Sequence, residues 1–277
     1  MTAAWPRSFL FVPGDRQTLI DSALRSAAEA LVFDLEDSVV EDRKPAGRAQ
    51  VAAVLRGTSA AVPCYVRVNG AETPHFADDV AALAETPCAG LVIPKVESAD
   101  LVRLAVARAA PMGVVLLVET PRGVLRALDL AEAAGDKLRA LAFGAEDLRA
   151  AMQVDAADSD ALVAFALPLI AVAAAAVAVP AIDAPELDIT NEERLRQRAA
   201  AARALGFVAK FAIHPAQLPA IHDAFSATAG QRQWAERVSE AYERGRAEGR
   251  GSVRLDDRMI DAATLKRARD ILERTRI

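Results

Sequence analysis

The chain has 277 residues, 53% of them hydrophobic, which suits one large domain or a barrel with an appendage. Aromatic residues make up only 5%, so Ala, Val and Leu must fill most of the core. A formal net charge of −5 and a sequence pI near 5.4 leave no basic stripe to track a phosphate backbone, and nucleic acid is excluded as an expected partner.

Short β-rich runs alternate with helical stretches along most of the chain. In order the predicted strands are Ser8–Val12, Leu31–Leu35, Tyr65–Val68, Gly90–Ile93, Val114–Val118, Arg139–Phe143, Pro180–Ile182 and Phe211–Ile213. The predicted helices between them run from about Gln17 to Glu29, Ala46 to Arg56, Ala77 to Glu85, Ala99 to Ala109 and Gly123 to Ala133. A long apolar helix, a charged helix from Glu192 to Leu205 and a helix from about Leu218 complete the set. Continuous apolar strands alternating with helices imply a parallel sheet covered by helices. Eight such units by about residue 225 fit a closed (β/α)₈ TIM barrel, and no Gly-rich dinucleotide fingerprint follows the first strand. The remaining 226–277 stretch reads as a helical extension of residues 1–225, suited to an arm or lid over an active site or a neighbouring subunit.

The stretch from Ala161 to Pro180 has no charged or polar side chain and is long enough to span a bilayer. It is rich in weakly apolar Ala, is interrupted by Pro168 and has no cationic flank. A buried Ala-rich helix is expected, and no membrane partner. The apolar run near the N-terminus is too short for a signal-peptide core. Cys64 and Cys88 form no framework or metal-ligand spacing, so buried free thiols in a reducing cytoplasm are expected.

In a barrel the catalytic face lies at the C-terminal strand ends. The polar residues there are Asp34, Glu36 and Asp37; Arg67 and Asn69; Lys95 and Glu97; Glu119; Glu146 and Asp147; and His214. Glu119 and Asp147 are 28 positions apart, one strand–helix unit, so they belong on adjacent strand ends. Two carboxylates without His or Cys form an oxygen-ligand set suited to Mg²⁺, which keeps open positions for a bidentate 2-oxo or 2-hydroxy acid. The plainer alternative is a pair of solvated acids. Arg67 interrupts an apolar strand and needs an anionic partner, either a substrate carboxylate or a structural acid. His214 is a candidate general base or a structural strand-end group.

Taken together, these stretches resemble the citrate lyase β-subunit family of acyl-thioester lyases, related to malyl-CoA and citramalyl-CoA lyases and the HpcH/HpaI aldolases. The resemblance is carried in chain order by Arg7–Gly14, Asp34-Leu-Glu-Asp-Ser38, Arg67-Val-Asn69, Ile93-Pro-Lys95, Val118-Glu-Thr120 and Phe143-Gly-Ala-Glu-Asp147. Ala181-Ile-Asp183, Ile213-His-Pro215 and Met259-Ile-Asp261 complete it. It implies a barrel assembled as a homotrimer or hexamer, with Glu119 and Asp147 as Mg²⁺ ligands and Arg67 on the oxo-acid carboxylate. The backbone at Gly144, Ala145 and Glu146 would cradle the same ligand. Asp261 would enter a neighbouring subunit's site and handle the proton of the acetyl carbon, although Asp261 could equally cap the helix after it.

The implied reaction is a retro-Claisen cleavage of citryl-thioester, carried on CoA or an acyl carrier protein, to oxaloacetate and acetyl-thioester. Malyl-CoA or citramalyl-CoA cleavage, the synthetic direction, a thioester-independent oxo-acid aldolase, and a non-catalytic carrier-binding subunit are the rival readings. Two departures fall on the thioester-carrier side. The Phe165–Pro168 run replaces an Arg near the start of the sixth helix, and the first helix lacks the usual Lys.

Overall fold

In the computed structural model, residues 5–57, 60–155 and 160–273 are described. The first half runs β1 (Ser8–Pro13), α1 (Gln17–Leu24), β2 (Ala30–Asp34), α2 (Lys44–Gly57), β3 (Cys64–Arg67), α3 (His75–Leu83), β4 (Gly90–Ile93) and α4 (Ala99–Ala109). It continues with β5 (Val114–Val118), α5 (Pro121–Leu125), α6 (Ala127–Ala134), β6 (Leu138–Phe143), α7 (Ala145–Met152), α8 (Asp160–Ala176) and β7 (Ala181–Asp183). Then follow α9 (Glu192–Ala204), β8 (Ala209–Ala212), α10 (Leu218–Phe225), α11 (Ala229–Ala247), β9 (Val253–Leu255), β10 (Arg258–Ile260) and α12 (Ala262–Glu273).

Strands β1 to β8 are all parallel and pair in sequence order, and β8 returns to β1, so the sheet closes into the expected barrel. Closure leaves every inner strand with helices outside and side chains within, which is why the strands read as unbroken apolar runs. All five residues of β2 and all five of β5 are buried. The few aromatics sit where volume is needed: Phe9, Phe33, Phe143 and Phe211 are fully buried, with Phe9 and Phe211 packed edge to face at 6.1 Å. Burying each such side chain contributes about 1.5–3 kcal/mol.

Three expectations need correction. The single helix from Gly123 to Ala133 is two, α5 and α6. Thr120 caps the first, Pro121 occupies its first turn, and the backbone breaks at Arg126 (φ −115°, ψ 15°). The segment after β6 is helical at once, so Asp147 stands in the first turn of α7, beyond the end of the strand itself. The apolar stretch does form a helix, α8, but it is only half buried. Ala166, Leu167, Ile170 and Ala173 face inward, while Phe165 and Val172 are 57% and 69% exposed. Among the described residues no helix is long and apolar enough to cross a membrane. Cys64 is a buried free thiol and Cys88 a half-buried one, and burial pushes both thiols up to about 11.

The chain divides into two compact units, Pro6–Ala224 and a second that begins at Phe225 and takes in Trp5. The second unit has its own core. Ala235, Val238, Ile260 and Ala268 are buried there, and Trp234, Tyr242, Val253, Leu255, Ile271 and Leu272 pack against them. The polar stretch before Met259 forms an antiparallel hairpin, β9–β10, turned by Asp256 and Asp257 in left-handed conformations (φ 48° and 59°).

Candidate active site

The C-terminal ends of β1, β2, β3, β5, β6 and β8 surround a cavity of ≈ 440 Å³. Its floor and sides are apolar, from Phe11, Leu117, Phe143, Phe211 and Ile213. Its polar rim holds Asp34, Asp37, Arg67, Glu119, Gly144, Ala145, Glu146 and Asp147. Arg67, Glu119 and the 144–147 segment, expected at the site from sequence, therefore meet in one place. Asp261 belongs to the second unit.

Strand register explains the first contact. Asp34 and Arg67 are partners across β2 and β3. Arg67 donates from Nε to Asp34 Oδ1 (2.7 Å) and from Nη2 to Asp34 Oδ2 (2.6 Å), a two-pronged ion pair. Burial works against the Asp34 carboxylate, but the charge and hydrogen bonds of Arg67 outweigh it and hold the group below its ordinary range. Burial likewise disfavours the Arg67 cation, and Asp34 chiefly, then Glu36 and Asp37, more than restore it. The choice posed between a structural acid and a ligand is thus resolved for two of the three nitrogens, which already hold Asp34. Nη1 is the third. It forms an ion pair with Glu36 Oε2 at 3.0 Å and donates a long hydrogen bond to Asp37 Oδ2 (3.5 Å), and the guanidinium lies 5.0 Å above the Phe11 ring.

Lys95 closes the same network from the other side. Its Nζ donates to Glu36 Oε1 (2.6 Å) and Asp37 Oδ1 (3.2 Å), and its backbone N–H donates to Glu119 Oε1 (2.8 Å). Lys95 does this in a left-handed conformation (φ 54°), an uncommon posture for a residue with a Cβ. Burial pushes Glu36 up to about 7, against the pull of Arg67 and Lys95.

Glu119 follows β5 and is 2% exposed. Burial, then the negative charges of Asp147 and Glu36, push its carboxyl well above the ordinary carboxylate range; Arg67 and the Lys95 N–H pull the other way. The next strand makes room for it. Val118 and Phe143 are register partners, the Gly144 N–H donates to the Val118 carbonyl (3.1 Å), and a Cβ on Gly144 would lie 2.5 Å from Glu119 Cβ. Gly144 is also the N-cap of α7, so the free N–H groups of that helix's first turn, at Ala145, Glu146 and Asp147, open at the rim. A desolvated carboxylate beside further acids is a donor set that a divalent cation would satisfy, and Glu119 with Asp147 fits Mg²⁺, which takes one or two protein carboxylates and keeps its waters. Among the described residues no group of three or more His, Cys, Asp and Glu side chains comes together for a metal, so water and substrate oxygens would have to complete the shell.

Other candidates have structural occupations. His214 is exposed and accepts the Ala216 N–H at Nδ1 (3.1 Å), capping a short 3₁₀ turn. The Asn69 side chain and backbone N–H both bond Asp79 (2.7 and 2.9 Å). Glu97 lines a neighbouring rim pocket with Lys95, Thr120 and Asp147. Asp261 accepts from the backbone N–H and hydroxyl of Thr264 (both 2.9 Å), which caps α12, and these bonds lower its pKa. One buried cation was not anticipated. Lys210, 2% exposed, donates to Asp183 Oδ2 (2.5 Å) and the Ala184 carbonyl (2.6 Å), fixing the start of the loop after β7. Its signal was available: like Arg67, it is a charge inside an apolar strand.

The chain is similar to known proteins over nearly its whole length. Residues 7–215 match the family model HpcH/HpaI aldolase/citrate lyase. The citrate lyase subunit beta of Escherichia coli (strain K12) is 30% identical over 98% of this chain and 93% of its own. A (3S)-malyl-CoA thioesterase of Cereibacter sphaeroides (strain ATCC 17025) is 30% identical over 96% of this chain and 93% of its own. Among solved structures, protein CitE of Mycobacterium tuberculosis in complex with magnesium, acetoacetate and coenzyme A superimposes with a TM-score of 0.79, at 33% identity over 99% of each chain. On its barrel, its ordered motifs and these full-length likenesses, the chain belongs to the HpcH/HpaI aldolase/citrate lyase family.

Proposed function

We propose that this chain is a Mg²⁺-dependent carbon–carbon lyase that splits a 3-hydroxy acyl-thioester into a 2-oxo acid and a shorter acyl-thioester. The observation that carries the reading is Glu119, a buried carboxylate set beside Asp147 and Glu36 at the mouth of an apolar cavity whose rim also holds Arg67. Glu119 and Asp147 would hold the metal. When bound, Mg²⁺ supplies a Lewis acid for the negative charge that develops on the hydroxyl oxygen.

The chain's own groups supply orientation and exclusion of water. The Nη1 edge of Arg67 and the free N–H groups at the start of α7 receive the oxo-acid carboxylate. The apolar walls keep the reacting bond dry, which strengthens every charge contact within. The hydroxyl proton passes to solvent water, and the C–O becomes the C=O of the 2-oxo acid as the adjacent C–C bond breaks. The electron pair of that bond passes to the carbon next to the thioester, which takes up a proton. Asp261 of a neighbouring copy in a homotrimer or hexamer would donate that proton and regain one from solvent.

Citryl-thioester, on CoA or a carrier protein, is the first substrate of this class and would give oxaloacetate and acetyl-thioester. The likeness to a malyl-CoA thioesterase keeps malyl-CoA and citramalyl-CoA beside it. The test is to assay purified protein on citryl-CoA, citramalyl-CoA and malyl-CoA, with and without a chelator, beside Glu119→Gln. Turnover should need Mg²⁺ and fall by at least about 100-fold in the variant. Undiminished turnover under chelation would overturn the reading.

A further inference from the structure

Arg67 faces a competition that the site must settle. Three acids surround its guanidinium, and Asp34 alone takes two nitrogens with short, well-aligned bonds. The Nη1 edge meets Glu36 and Asp37 as well, through an ion pair and a long hydrogen bond. Glu36 Oε2 stands 3.0 Å away, and Asp37 Oδ2 is at 3.5 Å. Both acids are shared with Lys95 Nζ, which takes their other oxygens, Glu36 Oε1 at 2.6 Å and Asp37 Oδ1 at 3.2 Å.

We propose that Lys95 is a positioning residue: it shares Glu36 and Asp37 with the Nη1 edge of Arg67 and so weakens their hold on that edge, which lets the oxo-acid carboxylate displace them. The inference rests on the reading of Arg67 as the carboxylate-binding group. The left-handed backbone at Lys95 is part of the device. With φ at 54° the residue turns its N–H onto Glu119 Oε1 while its side chain reaches over the rim to the two acids. One residue thereby ties the metal-binding side of the cavity to the carboxylate-binding side, through two different groups. Without the ammonium, Glu36 and Asp37 turn wholly to Arg67 and tighten on the Nη1 edge. The backbone N–H, by contrast, survives any change of side chain.

This separation makes the idea testable in the intact protein. Oxaloacetate is titrated calorimetrically at saturating Mg²⁺, and Mg²⁺ is titrated alone, into wild type, Lys95→Met, Lys95→Met with Glu36→Gln, and Arg67→Ala. Circular dichroism checks folding, and Lys95→Gln stands in should Lys95→Met misfold. Lys95→Met should weaken oxaloacetate by about tenfold or more, the scale of one charge-assisted hydrogen bond, while Mg²⁺ alone binds within about twofold of wild type. Adding Glu36→Gln should recover at least about threefold of the loss, because a neutral amide competes less for Arg67. In turnover the loss should sit in KM rather than kcat. Unchanged oxaloacetate affinity in Lys95→Met overturns the proposal, and so does a loss that Glu36→Gln does not relieve. A wild type that fails to bind oxaloacetate, or an Arg67→Ala protein that binds it undiminished, overturns the underlying reading of the site and this inference with it.

Discussion

Gly144 and Glu119 are neighbours across β5 and β6 at a spacing that admits no side chain at position 144: a Cβ there would lie 2.5 Å from Glu119 Cβ. Gly144→Ala should therefore displace the Glu119 carboxyl while the strands beneath stay paired. Misplacing a reacting group by about 1 Å can cost 100-fold in rate, and a loss of that order is expected together with a lowered melting temperature, since Glu119 Cβ is fixed to the backbone and the backbone must shift. An active Gly144→Ala protein would mean that Glu119 is not required where it stands.

The raised Glu119 carboxyl makes metal binding depend on pH in a definite direction. Without a metal, Glu119 holds its proton to higher pH than an ordinary carboxyl, and Mg²⁺ would bind the carboxylate. Affinity should rise with pH above the ordinary carboxyl range, and binding should release a proton. Calorimetry in two buffers of different ionisation heat counts that proton. A pH-independent affinity with no proton released would contradict the assignment of Glu119 as a ligand.

Much of this arrangement was legible in the sequence, for reasons that differ by residue. The alternation of apolar runs with helical stretches specified the barrel because a closed parallel sheet buries every strand on both faces. Arg67 stood out because a charge inside an apolar strand has to be answered. Its partner was not legible, since the Asp34 contact depends on strand register, which periodicity does not encode. The break at Arg126 and the early start of α7 were missed because short helices leave too few turns for a periodic signal. The β9–β10 hairpin was missed because Asp256-Asp257 takes the place of the Asn-Gly or Asp-Gly pair that usually marks such a turn.

Lys210 and Asp183 are 2% and 6% exposed and pair with each other; Lys210 also donates to the Ala184 carbonyl and Asp183 accepts the Ala184 N–H. Lys210→Met should strand the Asp183 carboxylate and cost about 3–5 kcal/mol, whereas Lys210→Met combined with Asp183→Asn should cost much less. Urea unfolding of the two proteins measures the difference, and equal losses would show that the pair does not act as a unit.

At the opposite end of the barrel, Ser8 Oγ lies 2.8 Å from His222 Nε2, and Arg7 grips Glu29 nearby. Burial lowers the His222 pKa, although Glu29 pulls the other way. A lowered imidazole means that the unfolded chain takes up the proton first, at about pH 6.5. The contribution of the neutral ring is fully present above that pH and is lost as the pH falls below it. The urea midpoint should drop between about pH 7.5 and 5.5, and His222→Gln should reduce the drop. An identical drop in the variant would assign the sensitivity to other groups.

Asp261 offers a separation of roles. As the cap of α12 its oxygen is what matters, so Asp261→Asn should keep the melting temperature while Asp261→Ala lowers it. As a proton carrier its acidity is what matters, so both variants should be inactive. Mixing Asp261→Ala with Glu119→Ala and reassembling should restore part of the activity, since one interface then pairs an intact metal site with an intact tail. An assembled but inactive mixture would leave Asp261 with its capping role alone.

The separate core beneath α11, α12 and the β9–β10 hairpin has a consequence for how this chain responds to heat and denaturant. The second unit has its own buried cluster, so a probe such as Trp234, placed there, reports on that unit, and one placed on the barrel strands reports on the other. Two units of unequal size need not unfold together, and a single transition temperature for the whole chain then averages two equilibria. A substitution in the barrel and one in the tail can shift the same averaged curve by different routes. Stability comparisons among variants of this protein are therefore comparisons within one unit at a time.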